Sequence, residues 1–497
     1  MNSLYILPFC LLAVGILPGC SRAESTCKRL KKLDYELYGT KTTYDTARKY
    51  LNKKDADLPK SFDDDSLEDE HRDLVENSCQ PMVFYFIGRH AARFPDGEDI
   101  DLYNKNLAKL KDKLKEHQQS TGNKCPEKFN QFLNWSPKMQ FKHDNLITEL
   151  GGKQERDIAR RFKRIYPQFF DTDKSDVKIG VTSKIRTAQT GAEFLTQVDG
   201  LKLPANCDDG SLPTNDLERP GYDLDKILQS VCYKAMMDKY NLPFLEFHKA
   251  CEKISGKPKV KEPLVERVTE PRLLNDVAER VAEKLGLKDD SISPELLDTV
   301  FDMCKFENAF LNNSIWCSLF EKRDVQIMEY IEDVKTYIKS AYGPNSNTRQ
   351  ACPLIKDLVE SFNDGLNITG SPGEKRKSHF YFSHADPMKR LLGAFGVFED
   401  DDSFSERRVR EFVRELKVDK DREWRSSLVV PFSANMAFVL YRCQKPGKEA
   451  KHKILAAVTE RPVKLGGCKD THCSSRKFFE TYEGMRDCDL SKICAKS

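Results

Sequence analysis

Residues 82–87, Met-Val-Phe-Tyr-Phe-Ile, form an apolar run with no polar alternation, preceded by Pro81 and closed by Gly88. A strand without the period-two pattern of a half-exposed sheet has to be covered on both faces, as in parallel sheets flanked by helices. The chain supplies such helices. Between Leu150 and Phe169, Ile158, Phe162 and Ile165 recur at spacings of four and three, and ARRFKR provides a solvated face. A second strand, Val177 to Ser183, and a helix from about Thr187 to Val198 follow. This alternation predicts an α/β fold with a mainly parallel sheet.

Residues 205–350 lose the strand signal; LLNDVAERVAEKLGL and DVQIMEYIEDVKTYIKSAYG are amphipathic helices, so an inserted, mainly helical domain is expected there. Strand character returns at HFYFSH, at Val429 to Phe432, at Ala437 to Cys443 and in KILAAVTERPVKL, the last two as antiparallel neighbours at the sheet edge. The predicted organisation is a signal peptide (1–23), a charged N-terminal arm in which no core starts (24–78), a first α/β segment (79–204), the insertion (205–350), and a second α/β segment with a disulfide-rich tail (351–497).

The signal peptide is read from the apolar run Leu4 to Leu17 and the small-x-small site Ser21-Arg22-Ala23. Pro8 and Pro18 interrupt the run, which falls short of the roughly 20 residues of a membrane span, so no stable membrane insertion is expected after its removal. Of sixteen cysteines, Cys10 and Cys20 leave with the signal, and an even fourteen in a secreted chain predict disulfides of unassigned pairing. No CxxC pair occurs, which argues against a zinc cluster. Sequons at Asn134, Asn312 and Asn367 fit a glycosylated product. The C-terminal SKICAKS carries neither an apolar anchor tail nor a KDEL-type signal, making secretion the default. With 81 basic and 78 acidic residues, a formal charge of +3 asks for no nucleic acid.

Chemistry concentrates where the first strand ends, at Arg89-His90-Ala91-Ala92-Arg93-Phe94-Pro95. Ligands of α/β sheets sit at the carboxyl ends of strands, and two guanidiniums converging there match the oxygens of a phosphoryl group. The cations disfavour imidazolium, so His90 is expected to stay neutral and nucleophilic. A second apolar strand ends in His384-Ala385-Asp386. His384 can donate to the same phosphate, and Asp386 can protonate the leaving alkoxide. In VTSKIRTA, strand alternation points Lys184 and Arg186 the same way, as further phosphate contacts.

This set resembles the histidine acid phosphatases, and within them the multiple inositol polyphosphate phosphatase branch. The resemblance extends over YGTKTTYD (38–45), the His90 motif, LITELGGKQE (146–155), TSKIRTA, MCKFENAFLNNSIWCSLF (303–320), YIEDVKTYIKSAYG, FSHAD and WRSSLVVPFSANMAFVLYRC (424–443). It implies a metal-independent phosphomonoesterase without cofactor, with an α/β domain capped by a helical one. His90 would be phosphorylated, Arg89, Arg93, Arg186 and His384 would hold the phosphate, and Asp386 would be the proton donor. Inositol hexakisphosphate, lower inositol polyphosphates and 2,3-bisphosphoglycerate would be its substrates.

Three positions depart from the family pattern. Ala91 replaces a glycine in the phosphate loop, where strain is expected. Asp96 puts a carboxylate near a site meant for polyanions, opposing substrate unless it points away or is paired. Asp386 stands where Glu is usual, withdrawing the acid by one methylene. They motivate two alternatives: a secreted phosphate-ligand binding protein without turnover, or an acid phosphatase of different substrate range.

Overall fold

The computed structural model describes residues 33–52, 59, 61–62, 65–121, 127–204, 231–251, 262–344 and 346–495. The signal peptide, and with it Cys10 and Cys20, lies outside them, as do Cys27, Cys125 and Cys207. Among the described residues seven strands make one sheet: β1 (Cys79–Arg89), β2 (Ser175–Gly180), β3 (Arg376–Ser383), β4 (Asn435–Cys443), β5 (Lys451–Val458), β6 (Arg461–Val463) and β7 (His472–Ser474). The order is β2-β3-β1-β4-β5-β6, with β7 also pairing β5. β1 is covered on both faces, as its composition demands. Phe84 and Phe86 meet Phe162, from the helix Glu149–Ile165; Phe86 also meets Phe194, from the helix Ile185–Leu195. On the other face, Val83 abuts Gly365 of the helix Cys352–Gly365, and Tyr85 donates to Asp357 Oδ2 at 3.0 Å.

The sheet is mixed rather than mainly parallel. Only β2, β3 and β1 run parallel; β4, β5, β6 and β7 are antiparallel. The links from β4 to β5 and from β5 to β6 are too short for a crossover, so those neighbours must reverse. KILAAVTERPVKL contains one such link: Val458 pairs with Arg461 across a two-residue turn in which Thr459 and Glu460 both have positive φ, 48° and 62°. No glycine marks that turn. Glu460 is instead gripped by Arg161, whose Nε and Nη2 donate to its two carboxylate oxygens at 2.7 Å each. The expected strand at Val429 to Phe432 is also absent: Ser426–Val429 is a helical turn.

The largest correction concerns the arm. Its described residues are part of the core: Leu33, Tyr35, Leu37, Tyr38 and Tyr44 are buried. Tyr35 donates to Glu329 Oε2 at 2.5 Å, Gly39 N to Ser427 Oγ at 2.7 Å and Tyr44 to Glu460 Oε1 at 2.7 Å. The alternation Leu33, Tyr35, Leu37 carried this signal, obscured by the charges between. Beneath the arm lies a buried ionic cluster, with Arg422 Nη2 2.7 Å from Asp333 Oδ2 and Arg425 Nη2 3.3 Å from Glu329 Oε2.

The described residues between 231 and 340 are mainly helical, including Pro294–Leu311 and Lys322–Ser340. Disulfides join Cys79 to Cys443, Cys251 to Cys494, Cys304 to Cys317, Cys352 to Cys488 and Cys468 to Cys473. No helix among the described residues is long and apolar enough to cross a membrane. Asn134, Asn312 and Asn367 are exposed.

Glu329→Leu removes the counter-charge of Arg425 and the acceptor of Tyr35, leaving a buried cation short of its partner. We expect a loss of about 3–5 kcal/mol in urea unfolding of the disulfide-intact protein. A change below about 1 kcal/mol would show that the cluster does not hold the arm in place.

Candidate active site

The register of two parallel strands brings the two histidines together. Arg89 of β1 lies opposite Ser383 of β3, so His90 and His384 follow at matching positions, with His90 N donating to Ser383 O at 2.9 Å. Their ring centroids are 5.7 Å apart. His90 is buried, and its Nδ1 faces Ala91 O at 3.0 Å. A carbonyl only accepts, so Nδ1 carries the proton and the Nε2 lone pair is free.

Three guanidiniums surround this imidazole. Arg89 donates Nη1 to Thr40 O at 2.6 Å and to Val430 O at 2.8 Å, and lies 4.6 Å from the Phe432 ring centre. Arg93 Nη1 donates to Phe94 O at 2.7 Å, and Arg186 Nη1 to Asn145 Oδ1 at 3.2 Å. Arg89 Nε, Arg93 Nε, Arg186 Nε and His384 Nδ1 are buried without a hydrogen-bond partner among the described residues. Buried donors left open at one place are ready for an acceptor. Burial, then Arg89, Arg186 and Arg93, hold the His90 imidazolium pKa well below its usual value. The cations strain one another too: burial and Arg93 push Arg89 down to about 9 and Arg186 to about 10.

Two helices start at the same place, Ile185–Leu195 and Ala385–Ala394, adding the positive ends of their dipoles. Arg186 sits in the first turn of one rather than on a strand, so alternation was the wrong geometry for it. Lys184 is the exposed residue before that turn, and no contact brings its side chain to the His90 cluster among the described residues.

The departures resolve differently. Ala91 is not among the residues with positive φ, and its N–H donates to Thr190 Oγ1 at 3.0 Å, so the expected strain is absent. Room for its methyl comes from Gly151 in the facing helix, where an added Cβ would stand 3.1 Å from Ala91 Cβ and 2.5 Å from Ala92 O. Asp96 is exposed and paired, accepting from Asn145 Nδ2. Asp386, in the first turn after His384, is 2.6 Å from Lys389 Nζ and accepts from Ser340 Oγ at 3.2 Å. Burial raises its pKa, but Lys389, then Arg390 and His248, overrule burial and hold the carboxyl well below the usual carboxylate range. It is therefore a carboxylate at rest.

Sequence reading missed several neighbours. Lys389 follows Asp386 at i+3, a spacing that brings side chains together on a helix. Thr182 Oγ1 bonds His384 Nε2 at 3.0 Å, and Glu246 Oε1 lies 3.8 Å from the same nitrogen. His248 stacks edge-on at 6.1 Å from His384 and is pushed down to about 4 by burial. Glu246 and His248 arrive from the helical region through tertiary packing alone and have no local signal.

Residues 85–455 match the family described as the histidine phosphatase superfamily (branch 2). The chain is 23% identical to multiple inositol polyphosphate phosphatase 1 of Gallus gallus over 92% of each chain. The protein of that name from Homo sapiens is 23% identical over 98% of this chain and 97% of its own length. Among solved structures, the phytase from D. castellii superposes with a TM-score of 0.56 at 15% identity, covering 84% of this chain and 82% of that one, a likeness of fold.

Histidine-labelled NMR should find His90 still neutral and Nδ1-protonated through the pH range in which a free histidine takes up its proton. Arg186→Met removes one depressing cation and should move its titration to higher pH. An ordinary titration near the free-histidine value would contradict the electrostatics described.

Proposed function

We propose that this chain, which belongs to the histidine phosphatase superfamily (branch 2), is a phosphomonoesterase cleaving inositol polyphosphates through a phosphohistidine at His90. The observation that carries this reading is the free Nε2 of a neutral His90 among three guanidiniums with open donors. The similarity over nearly its whole length to relatives named multiple inositol polyphosphate phosphatase 1 supports the substrate class.

In the proposed reaction Arg89, Arg93, Arg186 and His384 hold the scissile phosphate, and His90 Nε2 attacks phosphorus. The P–O ester bond breaks as the new N–P bond forms, and the leaving alkoxide takes a proton from Asp386. Water then attacks the phosphohistidine, gives its proton back to the Asp386 carboxylate, and inorganic phosphate departs. Guanidiniums supply the charge stabilisation, so the scheme calls for no metal. Asp386 must be protonated for the first step although Lys389 favours its carboxylate, and the negative charge of an arriving phosphate works in the required direction.

That ion pair also favours a second reading, a phosphate-ligand binding protein that keeps the cradle without turnover. The five disulfides among the described residues support an extracytoplasmic location. Secretion after removal of residues 1–23, with glycans at the exposed Asn134, Asn312 and Asn367, is the finer form of that proposal.

Phosphate release from inositol phosphates or 2,3-bisphosphoglycerate, assayed without added metal, is expected to disappear in His90→Ala. Binding without release in the parent would instead establish the second reading. Asp386→Asn should slow alkyl phosphates by about 100- to 10,000-fold. A nitrophenyl phosphate, whose leaving group needs no proton, should lose far less; equal losses on both would remove Asp386 from proton transfer.

Lys389→Met lets the Asp386 carboxyl pKa rise, so more of it is protonated at a given pH. The alkaline limb of the pH–rate profile should then move to higher pH, and an unmoved limb would show that another group donates.

A further inference from the structure

Beside the phosphate cradle, and sharing Arg93 with it, lies a cleft of about 320 Å³. It is bounded by the arm turn Tyr38–Lys41, the segment from Arg93 to Tyr103 and the helices Pro294–Leu311 and Lys322–Ser340. On the phosphatase reading, this is where the part of the substrate not being cleaved must lie.

Its charges do not suit a heavily phosphorylated ring. Among the described residues four cations line it: Lys41, Arg93, Lys305 and Lys335. Against them stand Asp96, Asp99, Asp298, Asp302 and Glu332, while Glu329 at its border is committed to Arg425. Two of the cations are already spent. Lys305 pairs with Asp302, which also accepts from Tyr103 at 2.6 Å, and Lys335 lies 3.6 Å from Glu332. Asp99 and Asp298 have no ion pair among the described residues, and for both burial, then neighbouring carboxylates, pushes the pKa up. Lys41 is the cation left: it makes no ion pair among the described residues, and lies 5.6 Å from the Phe306 ring centre. Burial, then Arg93 and Arg89, push it down to about 7, which puts it in the field of the catalytic cations.

We propose that this cleft selects phosphomonoesters of polyols bearing one or two phosphates over more heavily phosphorylated ones. One phosphate occupies the His90 cradle and Lys41 takes the second. Asp99 and Asp298 accept hydrogen bonds from ring hydroxyls, and would repel phosphates at the same positions. The inference rests on the phosphatase reading and narrows its substrate class to the lower inositol phosphates.

The test compares kcat/KM of the purified chain for inositol bisphosphate and inositol hexakisphosphate near pH 6.5, beside Asp99→Asn, Asp298→Asn and the double variant. The parent should favour the bisphosphate by about tenfold or more, and the double variant should shrink that ratio by about tenfold, since each carboxylate removed ends a like-charge contact. The single variants give the same direction should the double variant fail to fold. Hexakisphosphate preferred by the parent, or a ratio unmoved by neutralising either carboxylate, overturns the proposal. Calorimetric binding of both ligands to His90→Ala reads the same ratio without turnover. A parent that releases no phosphate therefore overturns the enzymatic reading, while the affinity ratio still decides the selectivity.

Discussion

The register between β1 and β3 is the constraint from which the site follows. Because Arg89 lies opposite Ser383 in a parallel pair, the residues leaving both strands emerge side by side, and the bond from His90 N to Ser383 O fixes them there. A slip of one residue would turn every side chain of a strand to the opposite face and separate the two imidazoles. The aromatic packing of Phe84 and Phe86 on one face and the hydrogen bond of Tyr85 on the other make such a slip costly, so strand chemistry and site geometry are one problem.

Holding three guanidiniums around a neutral imidazole costs energy, and the surrounding structure supplies the means. Arg89 donates its Nη1 to two carbonyls from distant parts of the chain, Thr40 of the arm and Val430 of the segment before β4. The segments carrying those carbonyls are themselves held together, since Phe432 N donates to Thr42 O at 3.0 Å and the arm is bound through Tyr35, Gly39 and Tyr44. The buried Arg422–Asp333 and Arg425–Glu329 pairs then tie the helix Lys322–Ser340 to the segment leading into β4. The arm is thus a strap connecting Arg89, the neighbour of His90, to the helical region that walls the adjoining cleft.

Much of this was legible in the chain, for identifiable reasons. The non-alternating run before His90 and its counterpart before His384 announced buried strands, and the residue types at their ends announced anion chemistry. What stayed hidden depended on position in space. Thr459-Glu460 turns without glycine because Arg161 and Tyr44 hold Glu460, so one apparent strand is two. The antiparallel pairing of β4 with β5 was legible in the chain, but composition does not disclose that β4 also runs antiparallel to β1, where the parallel part of the sheet stops. Arg186 was found for a wrong reason, strand alternation, when a helix start delivers it. Glu246 and His248 come from a region of unrelated pattern. The methyl of Ala91 looked strained until Gly151, sixty residues away in sequence, was seen to make room for it.

In the proposed reaction His90 Nε2 is the atom that takes the phosphoryl group. The most direct measurement is a rapid quench of the purified chain, in alkaline detergent, with an inositol phosphate radiolabelled on its phosphates, followed by peptide mapping. The prediction is a base-stable, acid-labile phosphoryl group on the peptide carrying His90, formed and lost at rates that match phosphate release. Phosphate release with no such adduct, or with the label on another residue, would contradict it.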